Sequence, residues 1–377
     1  ADKRQQQQAA VALSKLRVLL FAGAMAAAEY AKPWALTTIL AMCPPSASGV
    51  LCDFGPKGDT GNRLATPLMA ACSNRTSDKG AVAETVRLLI KETRTRGSVL
   101  TARTRSPSGT SGPGLVWLCC ESDNAEALKL IADDMLSGGE CGELEIMIQG
   151  ESCEDDEDMT PACIASKKGN HRVLSVLLHY AELLGIHRQV LQSGWSKYVP
   201  LVLACKSGDQ DTVRTLLEAA EKWQMPWYCD SKDGYGRWAI ECVLADSPFS
   251  KDDKLELCRE LISASQKNSL LNSLQDHTAM QSPPWANPRL VLRVLNCSFL
   301  PAYCSSLLDE FLFLCNQRCT DGKKEKEEEG SGGGRTICSS LLSKGPENED
   351  PFIVAIEDHM NEELRVLCRY ATKSDIE

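Results

Sequence analysis

Aromatic residues make up only 6% of this 377-residue chain, and there are only five histidines. So few rings suit thin interhelical layers filled by Leu, Ala and Val. Positive charge is also in deficit. The formal charge is -10 and the pI about 5.2, which disfavours general attraction to phosphate backbones or anionic membranes. No long apolar run is present: Val18 to Ala28, behind Lys15 and Arg17, is too short to span a bilayer. It has the look of a signal-peptide core, but Pro33 and the Leu36, Ile39, Leu40 run behind it favour a buried Ala-rich helix paired with a second one.

The catalytic and metal vocabularies are equally thin. No CxxC pair occurs, the histidines do not cluster with cysteines at zinc spacing, and Cys315-x3-Cys319 reads as two thiols near a helix end. GxSxG, HExxH and a kinase set are all missing, and the Gly330 to Gly334 tract lacks the preceding strand and following Lys-Ser/Thr of a phosphate cradle. No catalytic residue, metal ligand or cofactor is therefore assigned.

What the chain does have is cysteine, eighteen in all, spread without the spacing of a disulfide framework. Cys72 and Cys205 follow Ala71 and Ala204 in equivalent slots, where a thiol acts as a small hydrophobe. That usage points to a reducing compartment, the cytoplasm, with the nucleus as the alternative.

The chain also repeats itself. Ala165, Gly169, Val173, Leu177 and Leu178 have the spacing of two short helices joined by a Gly-containing turn. Ala204, Gly208, Thr212, Leu216 and Leu217 follow thirty-nine positions on. With a small first-helix residue as marker, an apolar pair lies twelve and thirteen positions later from Ala28, Leu118, Ala165, Ala204 and Ala355. Units at Ala71, Val243 and Ala279 fit with an insertion between helices, and a ninth would span Leu307 to Leu342. Helix pairs this short cannot bury their own apolar faces, so their recurrence predicts stacking.

Thr66-Pro67-Leu68 before Ala71, and Thr160-Pro161 before Ala165 and Gly169-Asn170, resemble the ankyrin repeat. The resemblance implies an all-α, helix-pair solenoid over residues 1–377, with about seven to nine pairs and flexible insertions at 94–113, 137–158 and 320–335. Departures from the pattern are clear. Met69, Val116, Cys163, Val202 and Glu241 stand where the family has His, so its His–Thr hydrogen-bond ladder should be largely missing and replaced by packing. Val199-Pro200 keeps the proline suited to a first helical turn but lacks a capping hydroxyl.

Such scaffolds bind through exposed faces and edge loops. Trp195, Tyr198, Trp223, Trp227 and Tyr228 belong to an aromatic concentration in the connections between units and are read as apolar anchors for a partner protein. Lys167, Lys168 and Lys206, at first-helix ends, are read as polar contacts; Trp238 is read as core. Arg94, Arg96, Arg103 and Arg105 read as a solvated loop, and Glu154 to Asp158 as either a solvated tract or a docking surface for a basic partner. The expected function is noncatalytic: a protein-interaction scaffold or adaptor, with neither nucleic-acid binding nor membrane insertion. Two alternatives stay open: a regulatory or targeting segment of a larger ligase or kinase, since the chain starts at Ala1 without Met, and a thiol-dependent enzyme.

Overall fold

The apolar periodicity emerges as helices in pairs in a computed structural model. It describes residues 2–42, 66–76, 78–95, 100, 103–105, 111–150, 159–192, 198–225, 228, 231–232, 234, 236–245, 248–276, 308–309, 311–313, 366–367 and 369. The chain divides into two units, Ala1–Pro200 and Leu201–Glu377. In the first, α1 (Asp2–Glu29) and α2 (Pro33–Met42) are followed by α3 (Pro67–Cys72) and α4 (Lys79–Thr95). A hairpin of β1 (Arg103–Arg105) antiparallel to β2 (Ser111–Gly114) then leads into α5 (Leu115–Glu121) and α6 (Ala125–Ser137). Next come α7 (Cys141–Gln149), the pair α8 (Pro161–Lys168) and α9 (His171–Leu183), and α10 (His187–Gln192). The second unit holds α11 (Pro200–Ser207), which begins at the boundary, α12 (Gln210–Lys222), α13 (Ala239–Ala245) and α14 (Lys251–Asp276).

In the first unit the pairs stack side by side. First helices form one row, α1 on α3, α3 on α5 and α5 on α8, and second helices another, α2 on α4, α4 on α6 and α6 on α9. Burial follows the marker pattern: Ala28, Ala71, Ala165, Cys72 and Cys119 are fully enclosed in the first row, Leu128, Ile131, Leu174 and Leu177 in the second. Each of those large side chains contributes about 1.5–3 kcal/mol. In the second unit α12 and α13 both pack on α14. The units marked by Ala279 and Ala355 and most of the ninth lie outside the described residues, as does the 320–335 insertion. The segment 137–158 carries α7, whose Leu144 and Ile148 are buried.

Hydrogen bonds join the stacked pairs, which corrects the expectation that packing alone would replace the missing ladder. Asn74 Nδ2 donates to the carbonyls of Ala28 (3.2 Å) and Glu29 (2.6 Å) at the end of α1. Asn124 Nδ2 donates to Ala71 (3.4 Å) and Cys72 (3.5 Å) at the end of α3, and Ser122 Oγ also reaches the Cys72 carbonyl at 2.6 Å. Asn170 Nδ2 donates to Cys120 (2.8 Å) and Glu121 (3.3 Å) at the end of α5. The last carbonyls of a helix have no partner within it, so a donor supplied by the next pair satisfies groups that burial would otherwise penalise. Asn124 and Asn170 stand at the N-caps of α6 and α9 but make no side-chain cap bond there; their amides donate across the stack instead. Asp209, the counterpart of Asn170, has no N–H to give; its carboxylate caps α12 by accepting from Thr212 N at 2.8 Å.

A second set of polar ties joins the second helices. Arg94 is not in a solvated loop, as expected from sequence, but in the last turn of α4. Its guanidinium donates to Asp134 at 2.7 Å and to both carboxylate oxygens of Glu140, a bidentate pairing that holds the Glu140 carboxyl below its usual range. Tyr180 Oη on α9 donates to Asp133 Oδ1 on α6 at 2.5 Å, and burial together with that carboxylate pushes the phenol up. In the second unit Arg214 on α12 reaches Glu256 (2.7 Å) and Glu260 (3.0 Å) on α14.

Two local features follow from backbone geometry. Gly169 ends α8 in the left-handed region at φ +71°, which accounts for the glycine in the turn. Gly208, at φ +86°, lies against Pro248, whose Cγ would stand 2.4 Å from an added Cβ. The reading of Val18 to Ala28 as a buried helix holds for one side only: Leu20, Ala24, Ala27 and Ala28 are enclosed, whereas Val18, Leu19, Ala22 and Ala26 are exposed. Its register matches a helix that covers α3 and α4 on one face.

If the asparagine amides carry the stack, Asn124→Ala should lower the unfolding free energy by about 1–3 kcal/mol. Asn124→Asp should cost at least as much, since a carboxylate cannot donate to carbonyls. Urea denaturation followed by circular dichroism measures both.

Candidate functional site

Thr66 and Thr160 show how a first helix begins here. Each hydroxyl accepts from the backbone N three residues on, Met69 and Cys163, at 3.3 Å, and a proline fills the first helical position. Val199-Pro200 has the proline and no hydroxyl. The structure supplies one from elsewhere: Leu201 N donates to Tyr228 Oη at 3.1 Å, across twenty-seven residues. Tyr228 is 1% exposed. Its ring is core and its hydroxyl caps α11, so it does not present an anchor to a partner.

The other expected contacts fall into two groups, one per unit. In the first, Lys167 and Lys168 occupy the exposed last turn of α8, where a positive charge suits the helix C-terminus. Lys167 Nζ lies 4.0 Å from Met159 Sδ, and the Met159 carbonyl accepts from Trp117 Nε1 at 3.3 Å. Tyr198 is half-buried, and its carbonyl accepts from Cys163 Sγ at 3.3 Å. Among the described residues no acid is paired with Lys167 or Lys168. In the second unit Trp223 is half-buried at the end of α12 and Lys206 half-buried in the last turn of α11. Trp195 and Trp227 lie outside the described residues.

Trp238, read as core, is half-buried; its backbone N donates to Glu241 Oε2 at 2.9 Å and Lys232 Nζ sits 3.9 Å over its ring. The aromatic search missed Trp34 on α2, the most exposed large hydrophobic described, at 72%. Its signal was present in the sequence. Trp34, Thr38 and Met42 recur every four residues, opposite buried Leu36.

The thiols are placed as core. All eight described cysteines are free, and seven of them are buried: Cys72, Cys119, Cys120, Cys163, Cys205, Cys242 and Cys258. Burial raises the Cys119, Cys120 and Cys205 thiols well above their ordinary value and the Cys258 thiol to about 12. Those groups stay protonated at neutral pH and make poor nucleophiles. Cys141, at the start of α7, is exposed.

No protein-family profile matches the sequence, and no curated protein matches it. Among solved structures the chain is similar to the human ASB11 ankyrin repeat domain, with 15% identity over 64% of this chain and 96% of that one, at a TM-score of 0.27. The stacking and cap geometry given above make this a predominantly α-helical fold of short, stacked helix pairs. Among the described residues no helix is long and apolar enough to cross a membrane.

Two outcomes follow. Tyr228→Phe should destabilise the protein by about 1–3 kcal/mol in chemical denaturation, because the Leu201 N–H loses its acceptor. Maleimide labelling of the native protein, read by peptide mass spectrometry, should modify Cys141 well ahead of the seven buried cysteines; rapid labelling of one of those seven would contradict their placement.

Proposed function

We propose that this chain is a noncatalytic protein-binding scaffold of the cytoplasm. The observation that carries the reading is the division of labour along the first helices. Their interior faces are spent on stacking, whereas the end of α8 holds Lys167 and Lys168 exposed beside Met159. A rigid row of helix ends presents side chains at fixed spacing, and binding at such a surface freezes little backbone. Tyr198 and Trp223, each half-buried, supply apolar area at their own units. Lysines with no acid partner among the described residues favour an acidic segment on the partner at the first-unit site. Burial of the described core thiols fits a reducing compartment.

The test is capture by the full chain from lysate, compared between the native protein and Lys167→Glu/Lys168→Glu. Both lysines are exposed, so melting should stay within a degree or two. Partner recovery should fall at least about tenfold. Recovery equal to that of the native protein would remove this surface from the binding site.

A further inference from the structure

Among the described residues the first helix pair is covered on one side only. On α1 the enclosed residues Leu20, Ala24, Ala27 and Ala28 mark the side packed on α3 and α4. The opposite side is centred on Ala22 and carries Lys15, Val18, Ala22, Ala26 and Glu29, all exposed, with Leu19 on its shoulder at 70% exposure. Beside it, α2 adds no charge from Pro33 to Met42, and the Thr37 and Thr38 hydroxyls turn back to the carbonyls of Pro33 and Trp34, both at 2.9 Å. An apolar face of this extent next to a tryptophan exposed at 72% calls for an occupant.

The residue types on α1 name that occupant. A two-fold axis through Ala22, perpendicular to the helix, brings position 22−n of one copy opposite 22+n of the other in an antiparallel pair. What is particular to this sequence is what those positions hold. Lys15 and Glu29, each seven residues from Ala22, become two reciprocal ion pairs about 10 Å to either side of the axis. Val18 meets Ala26, Leu19 meets Met25, and Ala22 meets itself, with small residues where the helices come nearest. No like charges meet at these positions, and the one pairing of two large side chains, Leu19 with Met25, falls on the shoulder of the face, away from the line of closest approach. We propose that α1 is a homodimerisation face, on which a second copy of this chain packs antiparallel about Ala22. The face is distinct from the α8 end assigned to the partner, so the two readings stand or fall separately.

Sedimentation velocity of the full chain across the micromolar range tests the proposal. The native protein should pass from monomer to dimer with rising concentration. Ala22→Glu, which sets two carboxylates against each other on the axis, should leave a monomer with an unchanged melting curve, since the position is exposed. Lys15→Glu and Glu29→Lys should each weaken the dimer at least about fivefold, because each places like charges opposite one another at two sites. The combined Lys15→Glu/Glu29→Lys exchange should restore it to within about twofold. A native chain that stays monomeric would overturn the proposal and leave the face to a partner of other chemistry. So would a dimer indifferent to Ala22→Glu, or a charge exchange that restores nothing.

Discussion

A helix of six to eight residues leaves much of its backbone unpaired, and everything described in the first unit depends on how those groups are answered. In α3, α5 and α8 the start is closed by a threonine hydroxyl or left to a glycine, and the ends of α1, α3 and α5 are closed from outside by Asn74, Asn124 and Asn170. The carboxamide is suited to this because it presents two N–H groups to two neighbouring carbonyls. Hydrophobic burial brings the pairs together, but burial is tolerant of small slides. Paired acceptors at fixed positions are not, so the asparagines set the register in which the apolar layers meet.

Seen this way, the two sets of cross-ties have different tasks. Asn74 and Asn124 are buried in the stack, where an unmet polar group costs most, and Asn170 is half-buried. Arg94 with Asp134 and Glu140, and Arg214 with Glu256 and Glu260, lie nearer the surface, where each pair contributes modestly, whereas the Tyr180–Asp133 bond is made by a buried ring. Binding residues on such a frame inherit its rigidity: Lys167 and Lys168 extend a helix whose length, cap and terminal glycine are all determined locally.

Much of the fold was legible in the sequence because helix pairing and stacking depend on periodic apolar positions. Ala71, Ala165 and Ala204 were read as first-helix markers, and all three are fully buried. The thiols at Cys72 and Cys205 were read as small hydrophobes and are enclosed. Features that depend on distant residues were not legible. The donor from Asn124 lies fifty-three residues from the Ala71 carbonyl it satisfies, and the Tyr228 hydroxyl caps a helix that begins twenty-eight residues before it. Composition therefore marked Tyr228 as a surface aromatic, whereas its role is set by a cap the local sequence omits. Arg94 was misjudged for a related reason: the Ser/Thr/Gly-rich stretch suggested a loop, and the acids that draw it into order are forty and forty-six positions on.

The asparagine bridges also give the stack a direction. The helices α1, α3 and α5 each take their closing donors from the pair that follows in the chain, never from the one before. Deprived of its predecessor, Asn124 or Asn170 already occupies an N-cap and can turn its oxygen to its own helix; deprived of its successor, a first helix has nothing comparable to fall back on. Fraying should accordingly advance from the C-terminal side of the row. During synthesis each of the first three pairs emerges from the ribosome one step ahead of the residue that secures it.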